Sequence, residues 1–361
     1  MQGGFEVSWE EKVRRVVPYV AGEQPKERDI IKLNTNENPY PPSPQVLQAA
    51  RELEAQYDRL RLYPDMDAAP LADAIAERYG VSPEQVFVGV GSDDVLAMCF
   101  LTFFTSGGKL LFPDISYSFY PVWAQLFGIP YEEVPLDGDF RIRTEDYLGR
   151  GELAGIIFPN PNAPTSLFKP VSEIEQIAAG NPDCVVIVDE AYVDFAPESA
   201  LPLLAKYDNL LVVQTFSKSR TMAGLRIGYA IGSPKMIGYL KDVKFSFNSY
   251  TMNYPSIVLG TAQIRDNTYF AETCDRIVKT REWFCGELRR LGFDFPEPSA
   301  NFVFARHPGM SGEEIFKKLR ERKILVRRWS RPRIGEYLRI TIGTDEQMRA
   351  VVQALEQILP V

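Results

Sequence analysis

The chain has 361 residues, 45% of them hydrophobic and 24% charged, and a net charge of −8. That is the mix of a soluble globular protein larger than one average domain, and its acidity gives no general attraction to nucleic acid or an anionic membrane. The only histidine, His307, excludes a His-rich metal site and an HExxH protease and all but excludes a Ser-His-Asp triad, so no metal is expected and proton transfer falls to Lys, Tyr, Cys or carboxylates. His307 itself, followed by Pro308, reads as a loop residue. The N-terminal MQGGFEVSWEEKVRR has no apolar stretch of signal-peptide type, no window approaches a membrane span, and a cytoplasmic location is expected. Cys99, Cys184, Cys274 and Cys285 form no CxxC pair and read as buried or incidental thiols.

In chain order, residues 1–40 read as an N-terminal arm that completes a small C-terminal domain. The stretch 44–57 has a helical pattern with Ser43 as N-cap and Pro44 at the first helical position. A second helix over 71–79 stops at Gly80, a good residue for a left-handed helix end. Short apolar runs then alternate with helical segments: 86–90 (VFVGV), 109–112 (KLLF), 155–158 (GIIF), 185–188 (VVIV) and 210–213 (LLVV). Their near-continuous apolar character suits strands covered on both faces, and segments such as 172–179 are long enough for crossover helices. The expectation is an α/β fold, a mostly parallel central sheet with helices on both faces, over 41–255. One long helical segment over 256–290 leads to a smaller α+β domain over 291–361. That tail reads as strand 301–305, helix 313–322, strand 324–327, strand 337–342 and helix 346–358.

Three common motifs are absent: Gly89 and Gly91 lack the third glycine of a dinucleotide fingerprint, Gly107-Gly108-Lys109 is not a P-loop, and no G-x-S-x-G occurs. Instead, polar groups recur just past strand ends, where open α/β sheets build ligand sites. They are Gly91-Ser92-Asp93-Asp94, Asn162-Ala-Pro-Thr165, Asp189-Glu-Ala-Tyr192, Thr215-Phe-Ser217-Lys218 and Gly224-Leu-Arg226. An acid at Asp189 can face a protonated pyridine nitrogen and make the ring a better electron sink. Tyr192 can donate to a ring oxygen, as can Asn162 or its substitute Asn160. Lys218 lies in an acid-poor segment and can form a Schiff base with an aldehyde if its pKa is lowered. Ser217, Arg226 and the helix opened by Ser92 suit a phosphate, with the side chains of Asp93 and Asp94 pointing away from it. Tyr117, in SYSFY, can stack on a ring.

With these motifs in this order, the chain resembles fold-type I enzymes dependent on pyridoxal-5′-phosphate (PLP), and specifically the histidinol-phosphate aminotransferase family. The matching stretches run from Pro18-Tyr19 to Thr344: LNTNENPYPPSP, RLYPD, GVGSDDVL, NPNAPTS, VIVDEAYVDF, TFSKSRTMAGLRIGYAIG and YLRITIGT. The resemblance implies that Lys218 carries PLP and shuttles the proton. It further implies that Asp189 pairs with the ring nitrogen, Tyr192 and Asn162 bond the ring oxygen, and Tyr117 stacks. Ser92, the Asp93 backbone, Ser217 and Arg226 would hold the phosphate, with Thr215 nearby. Tyr63 in RLYPD resembles the tyrosine that reaches the cofactor phosphate of the other subunit, which implies a homodimer with shared active sites. Arg339 resembles the arginine that grips the carboxylate of glutamate or 2-oxoglutarate. Arg327 resembles a second substrate arginine, for the phosphate of histidinol phosphate, with Arg328 the alternative because strand neighbours face opposite sides. Tyr19 and Asn36 resemble residues that close over the substrate. One departure stands out: the family usually has glycine where this chain has Ser166. The implied activity is transamination of histidinol phosphate with 2-oxoglutarate. The rivals are an aromatic amino-acid aminotransferase, a decarboxylase of a phosphorylated amino acid and, least favoured, the PLP-binding half of a transcription regulator.

Overall fold

The computed structural model describes residues 9–20, 22–27 and 29–359. After β1 (Ile31–Lys32), seven strands form the large sheet: β2 (Val86–Gly89), β3 (Lys109–Pro113), β4 (Tyr131–Val134), β5 (Leu153–Pro159), β6 (Val185–Asp189), β7 (Leu210–Thr215) and β8 (Gly228–Ile231). Their order is β2-β8-β7-β6-β5-β3-β4, and β8 alone runs opposite to the other six. The expected mostly parallel α/β sheet is therefore present. Alternate residues feed two cores, as the period of a strand requires. Ile157, Ile187, Leu211 and Val213 pack toward the helices Ser92–Phe103, Tyr120–Phe127 and Pro234–Phe247. Ile156, Val186, Val188 and Val212 pack on the opposite face with Ile174 and Ile177 of the Val171–Gly180 helix. β4 and β8 are faint in the sequence: β4 (YEEV) is a half-exposed edge strand bearing two acids, and β8 (GYAI) is bounded by Gly228 and Gly232.

Of three expectations on the helices, one holds and two need correction. The Ala69–Tyr79 helix does end on Gly80, at φ 67°. Ser43 precedes the Pro44–Ala55 helix, but its side chain makes no cap bond; the buried hydroxyl is unpaired while its N–H donates to Gln263 Oε1 at 3.0 Å. The single long segment over 256–290 is two helices, Tyr254–Arg265 and Asn267–Arg290. Asp266 separates them and caps the second by accepting from the Tyr269 N–H at 3.1 Å.

The remaining strands are β9 (Phe302–Ala305), β10 (Ile324–Leu325), β11 (Arg327–Arg328) and β12 (Leu338–Thr341). One strand was expected over 324–327, but the chain divides at buried Val326 between two sheets. β10 pairs in parallel with β1, and β11-β12-β9 form an antiparallel sheet. Helices Asn267–Arg290, Gly312–Glu321 and Asp345–Ile358 cover this part with a core that includes Ile277, Phe284, Ile315, Leu319, Val351 and Leu355. The four cysteines are free, and no described helix is long and apolar enough to cross a membrane.

Candidate active site

The carboxyl ends of the parallel strands share one edge of the large sheet. The amino end of β8 meets them there, with Gly228 in register with both Gly89 and Thr215. A cavity of about 560 Å³ lies over this edge, its opposite wall built from residues of the 19–37 arm and from Arg327, Trp329, Arg331 and Arg339. Pieces distant in sequence thus meet where strand ends leave room for a ligand.

Asp189 closes β6 and is 4% exposed. Its Oδ2 accepts from the Tyr120 hydroxyl at 2.8 Å and its Oδ1 from the Ala191 N–H at 3.3 Å. Burial pushes its pKa up to about 6, against those two hydrogen bonds. Past the end of β7, a turn in which Thr215 Oγ1 accepts from the Ser217 N–H at 3.1 Å presents Lys218. Its Nζ donates to the Thr35 carbonyl at 2.8 Å while part of the side chain stays open to the cavity. Burial and then the charge of Arg339 lower the Lys218 pKa to about 8; Arg226 adds to this, and Glu37 and Asp93 oppose it.

Beside Lys218 the backbone forms an anion cradle. Arg226, at φ 52°, donates from Nη1 to Ser217 Oγ at 3.2 Å and to the Ala223 carbonyl at 3.1 Å. A Cβ on Gly91 would lie 2.4 Å from Arg226 Nη2, and one on Gly228 2.2 Å from the Ser92 nitrogen. Glycine at both positions lets the guanidinium approach the first turn of the Ser92–Phe103 helix, whose free N–H groups favour an anion. The Asp93 side chain does not point away, contrary to expectation. It accepts from the Tyr117 hydroxyl at 2.7 Å and stands 3.6 Å from Arg226 Nη2, because those two donors flank it. Asp94 does turn back, accepting from the Val90 N–H at 2.9 Å.

Tyr117 lines the cavity, its ring at 87° to that of Tyr120. The Tyr192 hydroxyl accepts from Asn36 Nδ2 at 2.9 Å, which leaves its own proton for a ligand. Asn36, at φ 57°, is held by Thr341, whose Oγ1 accepts from its N–H at 3.1 Å and donates to its Oδ1 at 3.0 Å. Asn162 departs from expectation. Its Nδ2 is spent on the Ile115 carbonyl at 3.0 Å and Thr165 Oγ1 at 2.9 Å, so it offers no donor to the cavity, and its Oδ1 is unpaired. Asn160 is no substitute, since its side chain pairs with the Lys169 backbone at 3.0 and 2.7 Å.

On the opposite wall, Arg327 and Arg339 are register partners across β11 and β12. Both guanidiniums approach the Trp329 ring, at 5.5 and 5.2 Å from its centre. Arg339 Nη2 donates to the Asn34 carbonyl at 2.8 Å, while its Nε has no partner. Arg328 turns away, its Nε donating to the Gly335 carbonyl at 2.9 Å. Tyr19 stacks on Phe119 with ring centres 4.3 Å apart, and both line the cavity. Tyr63 is outside the cavity, 82% exposed and 4.7 Å from the Tyr250 ring. Tyr120, Thr35, Trp329 and Arg331 were missed in the sequence; Tyr120 lay within the quoted SYSFY and Trp329 directly follows the Arg327-Arg328 pair.

PLP, the cofactor the resemblance implies, fits these residues. Ser92, Ser217 and Arg226 form a cradle for its phosphate that two glycines keep open, Lys218 offers an amine, and Asp189 is a buried acid for its ring nitrogen.

Fold and site together define an aminotransferase of class I and II, and the family model of that description matches residues 28–355. The chain is 55% identical to the histidinol-phosphate aminotransferase of Aromatoleum aromaticum over 97% of its own length and 99% of that protein. It is 52% identical to that of Pseudomonas putida KT2440, over 96% and 99%. This chain belongs to the histidinol-phosphate aminotransferase family. It shares its fold with the enzyme of that name from Sinorhizobium meliloti, solved in complex with PLP. The TM-score is 0.82 at 24% identity, over 92% of this chain and 91% of that one.

Proposed function

We propose that this chain transfers an amino group reversibly between L-histidinol phosphate and 2-oxoglutarate, with PLP held on Lys218, in histidine biosynthesis. The observation that carries the reading is the pairing of Arg327 with Arg339 on the wall facing Lys218. Two fixed cations in one cavity suit substrates that bring a carboxylate or a phosphate, and a planar guanidinium can grip either with two parallel bonds. In this reading Arg339 takes a carboxylate of glutamate or 2-oxoglutarate and Arg327 takes the phosphate of histidinol phosphate.

Bound here, PLP supplies an aldehyde for the amino group and a sink for the electron pair left when Cα loses its proton. Lys218 Nζ, with its pKa near 8, is neutral in an appreciable fraction at physiological pH and can take the Cα proton and return it. Asp189, ionised above about 6, holds a positive charge at the ring nitrogen. Tyr192, oriented by Asn36, donates to the ring oxygen, and Tyr117 covers one ring face. Ser92, Ser217 and Arg226 fix the phosphate. The reading includes a homodimer with shared active sites in which Tyr63 reaches the partner's cofactor. It is supported by the exposure of Tyr57, Leu60, Leu62 and Tyr63 in one short stretch, at 74%, 58%, 52% and 82%.

A coupled transamination assay with histidinol phosphate and 2-oxoglutarate tests the reading, and turnover requiring both is expected. No turnover there, with good activity on phenylalanine, would replace it with an aromatic aminotransferase.

A further inference from the structure

Ser166 holds a backbone conformation that suits glycine, and the structure gives its side chain a use. The residue is fully buried at φ 65°, in the left-handed region that glycine enters without strain and serine seldom does. Its N–H donates to the Asn162 carbonyl at 2.8 Å, which closes the loop after β5. Its carbonyl accepts from the Ser299 N–H at 2.8 Å. Its hydroxyl accepts from the Ala300 N–H at 2.9 Å, a bond glycine cannot make. Two successive amides in the segment that leads into β9 are therefore satisfied by one residue of the large-sheet loop.

Both ends of this tie lead into the cavity walls. On one side, the Asn160 N–H donates to the Asp189 carbonyl at 2.9 Å, so the loop is anchored to the end of β6. On the other, the Asn301 carbonyl accepts from the Ile342 N–H at 2.9 Å, and β9 pairs along β12 with Phe304 opposite Arg339. Asn301 Nδ2 also donates to the Asn36 carbonyl at 3.1 Å. The tie is buried throughout, since Ser166, Ala300 and Asn301 are each 0% exposed.

We propose that Ser166 is a positioning residue whose hydroxyl clamps the segment leading into β9 to the loop after β5, fixing the spacing between Lys218 on one wall and Arg327 and Arg339 on the other. Its effect is on how well the two walls grip a substrate together, not on the chemistry at Lys218.

Two substitutions separate the hydroxyl from the backbone conformation. Ser166→Ala removes the bond and keeps the strained backbone; Ser166→Gly removes the bond and relieves the strain. Thermal stability should fall in the alanine variant and less in the glycine variant. The clamp predicts a common result in both: KM rises about 3- to 10-fold for histidinol phosphate and 2-oxoglutarate together, with kcat within about twofold. Amide exchange in the peptide over 296–303 should quicken about tenfold in both, because the Ala300 N–H loses its acceptor. Wild-type KM and protection in Ser166→Gly would overturn the proposal, leaving Ser166 a backbone substitute only. A KM rise for one substrate alone, or a loss confined to kcat, would overturn it as well. The kinetic arm rests on the function proposed above and the exchange arm does not. If the wild type fails to turn over these substrates, the exchange decides: unchanged protection in both variants sinks the clamp and faster exchange upholds it.

Discussion

The two walls of the cavity are built by opposite means. On the strand-end wall, polar groups sit at the ends of buried strands and are held by hydrogen bonds: Tyr120 and the Ala191 N–H hold Asp189, and the Thr215 hydroxyl holds the turn before Lys218. On the arginine wall, β11 has two residues and β12 four, and aromatic faces flank the cations, with a single hydrogen bond from Arg339 to the Asn34 carbonyl beside them. Arg339 lies 5.2 Å from the Trp329 ring centre and 5.3 Å from that of Phe302, with Nε unpaired. Burial lowers its pKa, and the charge of Arg327 adds to that. A half-buried cation with no anion beside it among the described residues carries a desolvation cost until a ligand supplies one. The first wall is complete before substrate arrives and does the chemistry; the second is completed by substrate and selects it.

That division can be broken from either side. The largest effect is expected at Lys218. Lys218→Ala should abolish borohydride-trappable cofactor and lower kcat by at least about 10⁴-fold, the upper range for a lost proton-transfer group. Retention of trapped PLP would mean that another lysine carries it. Asp189→Asn should come next, lowering kcat by about 10²- to 10³-fold with smaller changes in KM, because charge rather than shape is removed. A loss seen chiefly in KM would move Asp189 to substrate binding. Arg327→Gln tests the selecting wall: kcat/KM for histidinol phosphate should fall about 100-fold, and for phenylalanine by less than about threefold. Arg328→Gln, on the strand position that turns away, should change either value by less than about twofold. Equal losses on both amino donors in Arg327→Gln would end its assignment to the phosphate.

The same contrast explains what was legible in the sequence. The strand-end wall could be read because each group follows an apolar run directly: VVIV precedes Asp189, and LLVV precedes the turn to Lys218. The arginine wall was readable only in part. Period two left Arg327 and Arg328 as alternatives, and the pairing of β11 with β12 places Arg327 on the cavity side. Trp329 could not be assigned because its role depends on two arginines brought together across strands. Asn162 was misjudged for a similar reason: the acceptor that takes its amide is the backbone carbonyl of Ile115, which no side-chain motif records. The Thr35 carbonyl, partner of Lys218, is equally silent in the sequence.

The smallest expected effect bears on whether the walls are electrically joined. Burial is the first cause of the lowered Lys218 pKa and Arg339 the second, so removing the arginine should raise that pKa without restoring the ordinary 10.5. Capture of PLP by the apoprotein requires the neutral amine. A pKa of about 8 makes roughly a tenth of Lys218 neutral at pH 7 and half at pH 8, so the capture rate should rise about fivefold over that interval. In Arg339→Gln the same curve should move to higher pH by less than about one unit, because the larger contribution from burial remains. Stopped-flow mixing of apoprotein with PLP across pH 6 to 10 (approximately the span of both curves) measures the midpoint directly. An unmoved midpoint would show that the selecting wall exerts no field on the chemical one and would confine Arg339 to gripping a carboxylate. A shift in the expected direction would mean that a bound carboxylate, by neutralising Arg339, also raises the basicity of Lys218, so that filling one wall tunes the other.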